Sequence, residues 1–186
     1  PVVYGCRNWI APTTDISKNF FPDENGIIDL IHEKLIPITC HNSEKDFSKR
    51  DFQKYDNIIF GGCVQAGGIM GFDLIKKNMR RLEDKKIVTF AVGLNVMQKE
   101  TRMQLREINF DKKRVERMTC FYCPGAYKPE EIKGIDAGIM KMMISMLESK
   151  GALEMTEDDK KLLDAVKNGA NYVDRKYIEP IVNEFK

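Results

Sequence analysis

The feature that most constrains this chain is a short apolar run that leads into two closely spaced glycine pairs. Residues 57–60 (Asn-Ile-Ile-Phe) follow a polar turn, and such a run is typical of a strand buried on both faces of a parallel sheet. Gly61-Gly62 and Gly67-Gly68 then predict a loop whose backbone can adopt positive φ and approach a ligand closely. Residues 72–82 carry helical apolar spacing. A strand, a glycine loop and a helix in this order predict a ligand site at the carboxyl edge of an open α/β sheet.

Other short apolar runs alternate with helical patterns along the rest of the chain. Candidate strands lie at residues 2–4, 36–40, 87–92 and 118–122, and candidate helices at 16–21, 27–35, 100–109 and 135–147. This alternation predicts a doubly wound, five-stranded parallel sheet. Thr156 and Asp159 resemble a capping box that opens one more helix, which Asn168-Gly169 would close. We therefore expect a single domain over residues 1–186, with a core at 1–134 and a C-terminal helical extension at 135–186.

Composition excludes several classes of protein. Hydrophobic residues make up 42% of the 186 residues and charged residues 31%, which is typical of a folded globular chain rather than a disordered or membrane-spanning one. The 30 basic and 28 acidic residues are distributed along the chain, so the sequence does not predict a nucleic-acid partner. The chain opens on Pro1 without a secretory signal, and we expect its N-terminus to be processed or incomplete. Five cysteines, an odd number, then favour a reducing cytoplasmic setting.

Cys120 and Cys123 are the only close pair of cysteines, and they admit two interpretations. A redox pair needs both sulfurs on the same side, usually at the start of a helix. Residues three apart in a strand point to opposite faces, so the strand pattern favours structural cysteines. His32 and His41 are too few and too distant to complete a zinc site. We predict no metal site, and no residue offers itself as a catalytic acid, base or nucleophile.

Three segments of the chain resemble a group of small flavodoxin-like proteins. Residues 55–69 look like the third strand and following loop of that group, 85–93 like the fourth strand, and 171–180 like the C-terminal segment. The likeness covers most of the chain from about Phe47 onward. It implies the strand order 2-1-3-4-5, with Pro37 on an edge strand, and it implies FMN as cofactor. The group includes relatives of the quinone-dependent protoporphyrinogen oxidase type.

The same resemblance implies where the cofactor binds. The loop after the first strand would hold the phosphate through Thr13 and Thr14, although either hydroxyl could instead N-cap a helix that begins at Asp15. The loops after the third and fourth strands would flank the flavin ring. The implied cofactor-binding residues are Thr13, Thr14, Gly61, Gly62, Cys63, Val64, Gln65, Ala66, Gly67, Gly68, Val92, Gly93, Leu94 and Asn95.

Two functions from different classes follow from these features. The first is an FMN-binding electron carrier or small flavin oxidoreductase of the cytoplasm, in which the flavin supplies the chemistry. It would exchange electrons with a partner protein or a quinone-like molecule, as a monomer or a homodimer. The second is a flavodoxin-like domain that has lost FMN and serves as a binding module.

The ring-side loops contain no aromatic residue that could stack on a flavin. We expect Trp9, Phe121, Tyr122 or Tyr127 either to reach the ring or to serve in packing. The methionines of the helix at 135–147 are expected to fill the core, with a binding groove as the alternative.

Overall fold

The computed structural model describes residues 2–5, 39–42, 51–110, 118–151 and 154–185. The predicted helices at 16–21 and 27–35, and Pro37, lie outside the described residues. The strands are β1 (Val2–Gly5), β2 (Thr39–Asn42), β3 (Asn57–Gln65), β4 (Gly68–Ile69), β5 (Lys86–Gly93), β6 (Thr119–Pro124), β7 (Ala126–Tyr127) and β8 (Ala170–Asn171). The described helices are α1 (Asp73–Asn78), α2 (Lys99–Asn109), α3 (Gly134–Glu148), α4 (Glu157–Asn168) and α5 (Glu179–Asn183). Short 3-10 turns lie at Asp51–Lys54, Met79–Arg81, Pro129–Glu131 and Arg175–Tyr177.

One mixed sheet organises the described part of the chain. Its strands follow the order β2-β1-β3-β5-β6, all paired in parallel, and β4 pairs antiparallel with the end of β3. β7 and β8 form a separate antiparallel pair. The α/β class with a mainly parallel sheet is confirmed. The sheet has six strands where the sequence predicted five, because the chain turns back on β3 at once and adds β4.

The first glycine pair lies inside β3, so the prediction that the strand ends at Phe60 is wrong. β3 continues through Gly61 and Gly62 to Gln65. A Cβ built on Gly61 would lie 2.1 Å from the Phe90 ring of the neighbouring β5, and one on Gly62 would lie 2.6 Å from the Met70 carbonyl oxygen. Both glycines are therefore required by close packing, which a strand pattern of apolar side chains does not reveal.

Both faces of the central strands β3 and β5 are buried, as their apolar runs predicted. Successive residues of β3 point to opposite faces. On one face Ile59 packs with Val88, Phe90, Val92 and Cys123 of the neighbouring strands. The other face carries Ile58, Phe60, Ile87 and Ala91 against a cluster formed by Phe52, Phe72, Ile75, Leu82, Val96, Leu105, Phe110 and Met118. The two-sided burial leaves only the edges of the sheet for a ligand.

The C-terminal segment completes the first of these faces. Ile178, Ile181 and Val182 are each at most 2% exposed and pack against the strands. The Cys123 thiol donates a hydrogen bond to the Tyr177 carbonyl oxygen, with 3.8 Å between sulfur and oxygen. α3 and α4 precede this segment and pack on each other. The residues after Asn171 thus contribute to the core of the sheet, although they follow the helices of the expected extension.

The capping box that opens α4 is confirmed. The Thr156 hydroxyl accepts a hydrogen bond from the Asp159 N–H at 3.1 Å, and the Asp159 carboxylate accepts one from the Thr156 N–H at 3.0 Å. Lys150 donates to the same carboxylate at 2.8 Å, and this bond, with those from Thr156, lowers the pKa of Asp159 to about 2. Gly169, with φ of 84°, ends the helix as predicted.

Several predicted details of the helices are wrong. The predicted helix at 72–82 is α-helical only as far as Asn78 and continues as a 3-10 turn. The apolar side chains of Met103 and Ile108 in α2 do not join the core, since they are 55% and 47% exposed. In α3, Met142 and Met146 are 70% and 59% exposed, so they do not fill the core. Apolar spacing predicted these helices, but it did not predict which side of each helix has a partner.

Candidate functional site

The loops after β3 and β5 begin side by side at the carboxyl edge of the sheet. Cys63 and Val92 are register partners in the two strands. A Cβ on Gly93 would lie 3.4 Å from the Cβ of Val64, so the backbones approach closely at this point. Leu94 follows directly. The structure thus brings together two parts of the chain that the sequence predicted as one site.

The second glycine pair forms the tip of a hairpin rather than an open loop. Gln65 pairs with Gly68 across the turn, and the two residues between them have positive φ, 47° at Ala66 and 78° at Gly67. Positive φ at both central positions is the signature of a type I′ turn. Ala66 is the one residue other than glycine with positive φ among the described residues. The chain therefore holds an unfavourable alanine conformation at the tip.

A buried asparagine of α2 holds this turn. The Oδ1 of Asn109 accepts a hydrogen bond from the Ile69 N–H at 2.9 Å, and its Nδ2 donates to the carbonyl oxygens of Gly67 at 3.0 Å and Leu105 at 2.8 Å. Asn109 is only 3% exposed. Sequence reasoning missed this residue, because a polar residue at the end of a helix is usually a solvated cap.

The side chains at this edge suit a planar amphipathic ring. Val64 and Leu94 are half-buried apolar residues on the two adjacent segments, and Gln65 and Asn95 beside them carry amides. Gly68 has no atom closer than 3.5 Å to the position of a Cβ, apart from its chain neighbours. A flavin presents two apolar faces and a polar pyrimidine edge, so the residues present fit the ring. Bound here, FMN would supply the electron-transfer chemistry.

The other predicted site residues fall into two groups. Gly61 and Gly62 lie deeper in β3 than the edge, where packing accounts for both of them. Thr13 and Thr14, the predicted phosphate ligands, lie outside the described residues, and so does Trp9. The phosphate half of the site therefore stays a prediction.

A cavity of about 270 Å³ lies on the far side of the loop after β5. Its walls come from that loop, from α4 and from the C-terminal segment. The lining residues are Leu94, Asn95, Met97, Gln98, Pro124, Asp158, Lys161, Leu162, Ala165, Tyr172 and Tyr177. Tyr172 is 43% exposed. Sequence reasoning missed both tyrosines as candidate aromatic partners, because only the fold brings the C-terminal segment next to the loop after β5.

Three of the four aromatic residues nominated from the sequence lie within the described residues, and each has a contact elsewhere in the fold. Phe121 packs against the face that carries Ile59. The Arg102 guanidinium lies 5.8 Å from the centroid of the Tyr122 ring, a distance typical of a cation–π contact. Tyr127 pairs with Ala170 in the small β7–β8 ladder. None of these three residues contributes to the wall of the cavity beside the loop after β5.

The two close cysteines lie on β6, where Cys123 is buried and Cys120 is half-buried. Burial raises the pKa of Cys120 from 9.0 to about 12, and the pKa of Cys123 rises to about 12 for the same reason. Because the thiolate is the reactive form, both groups are unreactive at neutral pH. The structural interpretation of the pair is therefore favoured over the redox one.

The described ranges contain no group of three or more His, Cys, Asp or Glu side chains placed to hold a metal ion. None of the helices in these ranges combines the length and apolar character needed to cross a bilayer.

A comparison with protein families agrees with this geometry. A family model for a flavodoxin domain matches residues 25–153, which is more than half of the chain. The match includes β3, β5 and both loops at the carboxyl edge. No curated protein matches the sequence. The chain belongs to the flavodoxin domain family.

Proposed function

We propose that this protein binds FMN noncovalently at the carboxyl edge of its sheet and uses the flavin to transfer electrons. The observation that carries the proposal is the convergence of two segments: Val64 at the end of β3 contacts the position of a Cβ on Gly93, at the end of β5. The two segments would together form one side of a ring site, which Leu94 and Asn95 extend. Membership of the flavodoxin domain family supports a flavin rather than another planar ligand.

The chain's own residues would bind and tune the flavin. Val64 and Leu94 would pack against the ring, and the neighbouring amides of Gln65 and Asn95 would bind its polar edge. The phosphate would lie beyond β1, where Thr13 and Thr14 are the proposed ligands. The flavin would supply the chemistry, and electrons would pass directly between it and a partner protein or a quinone-like molecule in the cytoplasm.

A flavin-free binding module is the second candidate function, and one observation favours it. Gly61 and Gly62 are explained by the Phe90 ring and the Met70 backbone, so half of the glycine motif has a structural use without any ligand.

Reconstitution with FMN tests the proposed function directly. The purified protein is mixed with excess FMN, unbound flavin is removed, and the visible absorption bands of flavin are measured. We expect flavin to remain with the protein, and the Thr13→Ala, Thr14→Ala double variant to retain much less of it. Thr119→Ala is the matched control, because Thr119 is exposed at the opposite end of β6. A protein that retains no flavin would leave the binding module as the function.

A further inference from the structure

The cavity beside the loop after β5 has walls that the backbone holds in place. The Gly125 N–H donates to the Gly93 carbonyl oxygen at 3.2 Å, and the Tyr172 N–H donates to the Gly125 carbonyl oxygen at 3.2 Å. These two bonds join the end of β5, the residue between β6 and β7, and the C-terminal segment. The capping box fixes the start of α4, which supplies another wall. The cavity is therefore preformed, as small-molecule sites usually are.

The less exposed part of the cavity wall is apolar and partly aromatic. Pro124 and Ala165 are buried, and Leu94, Leu162 and Tyr177 are half-buried. The volume of about 270 Å³ exceeds the ~150 Å³ that is enough for benzene in an apolar cavity. The space therefore suits one aromatic ring with a substituent, or two fused rings, which a tyrosine ring can contact edge-on or in an offset stack.

Two side-chain amides on the same wall have unused hydrogen-bonding capacity. Asn95 and Gln98 are half-buried, and neither side chain is hydrogen-bonded to another residue of the described ranges. Each amide offers a donor group and an acceptor oxygen. A ligand group that both donates and accepts hydrogen bonds would pair with them, and it would recover the interactions with water that partial burial removes.

The charged residues at the mouth of the cavity have opposite signs. Asp158 and Lys161 are both exposed, and they lie three residues apart on α4, which places them on the same side of the helix. An anion would be attracted by Lys161 and repelled by Asp158, and a cation would meet the reverse. The mouth therefore favours an uncharged ligand.

We propose that this cavity is a binding site for a small uncharged aromatic molecule whose polar group both donates and accepts hydrogen bonds, as a carboxamide does. The ring lies against Tyr172 and Tyr177, and the polar group pairs with the amides of Asn95 and Gln98. The site goes beyond the proposed electron transfer, and it forms without FMN.

The test uses benzamide as the probe, with three analogues of similar size. Benzoate carries a negative charge, benzamidine carries a positive charge, and cyclohexanecarboxamide lacks the aromatic ring. Each compound is titrated into the flavin-free, isotope-labelled protein, and the NMR signals of the Asn95 and Gln98 side-chain amides are followed. The side-chain amides of Asn78 and Asn109 are internal controls, because both already donate to backbone carbonyl oxygens.

We expect benzamide to bind with a Kd of about 1 mM, which is typical of a compound of this size. Each analogue should bind about threefold more weakly or worse, because it loses an aromatic contact or adds an uncompensated charge. The Asn95 and Gln98 signals should shift, and the two control signals should not. The inference is wrong if benzamide does not bind, if these two signals do not move, or if any analogue binds as tightly as benzamide.

Two substitutions locate the bound ring. Tyr172→Ala removes a side chain that is 43% exposed, so the fold should tolerate it, and we expect benzamide to bind about fivefold more weakly. Leu162→Trp places a larger side chain in the cavity and should abolish binding. Met142→Ala is the matched control, because it removes a 70% exposed apolar side chain from α3, outside the cavity. Binding that survives Leu162→Trp, or that is equal in Tyr172→Ala and Met142→Ala, would place benzamide elsewhere and overturn the inference.

A titration of the FMN-loaded protein separates this cavity from the proposed ring site, which shares Leu94 and Asn95 with it. We expect benzamide to bind to the loaded protein as well. If bound FMN abolishes benzamide binding, the cavity belongs to the flavin site, and the inference of a second site is wrong while the proposed function stands. If the protein retains no FMN, the proposed function fails, and the titrations of the flavin-free protein decide the inference by themselves.

Discussion

The two glycine pairs of this chain are identical in sequence and opposite in use. Gly61-Gly62 lies within β3, where an aromatic ring and a backbone carbonyl occupy the space of the missing side chains. Gly67-Gly68 forms the end of a hairpin turn, where the needed property is a positive φ at Gly67. The first pair permits close packing and the second permits a change of direction. The same dipeptide therefore predicts nothing about a site until its neighbours are known.

The largest expected effect is that of Gly61→Ala. The new Cβ would lie 2.1 Å from the Phe90 ring, which is buried and has no room to move. We expect a loss of about 3 kcal/mol in the free energy of unfolding, at the upper end of overpacking effects, measured by urea denaturation. Phe90→Leu combined with Gly61→Ala should recover part of the loss.

A control for this prediction lies in α3. Gly138 has no atom within 4 Å of the position of a Cβ, so Gly138→Ala should be neutral or stabilising by up to about 1 kcal/mol. Equal effects of the two substitutions would contradict the packing explanation for the first glycine pair.

The two glycines of the second pair should respond differently to substitution by alanine, with a larger loss of stability at Gly67 than at Gly68. Gly67→Ala places an alanine at φ of 78° and 2.7 Å from the Ile108 side chain. Because Ile108 is half-exposed and can shift, we expect mainly the conformational cost, about 1–2 kcal/mol. Gly68→Ala meets nothing closer than 3.5 Å and should cost less than about 0.5 kcal/mol. Urea denaturation of the two variants measures the difference between their free energies of unfolding. If Gly68→Ala loses more stability than Gly67→Ala, the positive φ of Gly67 is not the reason for the second glycine pair.

A small gain in stability is expected from Ala66→Gly. Glycine adopts the φ of 47° found at Ala66 without steric cost, and this outweighs its larger entropy in the unfolded chain by about 0.5 kcal/mol. Ala137→Gly in α3 is the control, and it should lower the free energy of unfolding by about 1 kcal/mol. Thermal unfolding of both variants shows whether each substitution raises or lowers stability. A loss of stability at both positions would mean that the tip of the turn is not strained.

Local patterns in the sequence predicted much of the fold. The continuous apolar run of β5 and the Thr156 and Asp159 capping box depend on residues close together in the chain, so periodicity and side-chain chemistry were sufficient. The position of Gly61 within a strand depends on Phe90, which lies on another strand. A residue without a side chain adds nothing to periodicity, and the prediction of a loop there was wrong.

The candidate site was less predictable than the sheet. Gly93 and Val64 could be nominated from the resemblance, but Asn109 and Tyr172 could not. Asn109 holds the hairpin turn only because α2 ends beside it, and Tyr172 lines the cavity only because the C-terminal segment returns to the loop after β5. Both depend on contacts between distant parts of the chain, which a single sequence does not display.

The packing of Ile178, Ile181 and Val182 on the sheet has a consequence for the order of folding. These residues cover Ile59 and Val88, which are synthesised long before them. Until the helix Glu179–Asn183 emerges from the ribosome, Ile59 and Val88 lack the contacts that these residues provide, and contacts of such large sequence separation form slowly. Apolar side chains that wait for a late partner favour aggregation of the nascent chain during that interval.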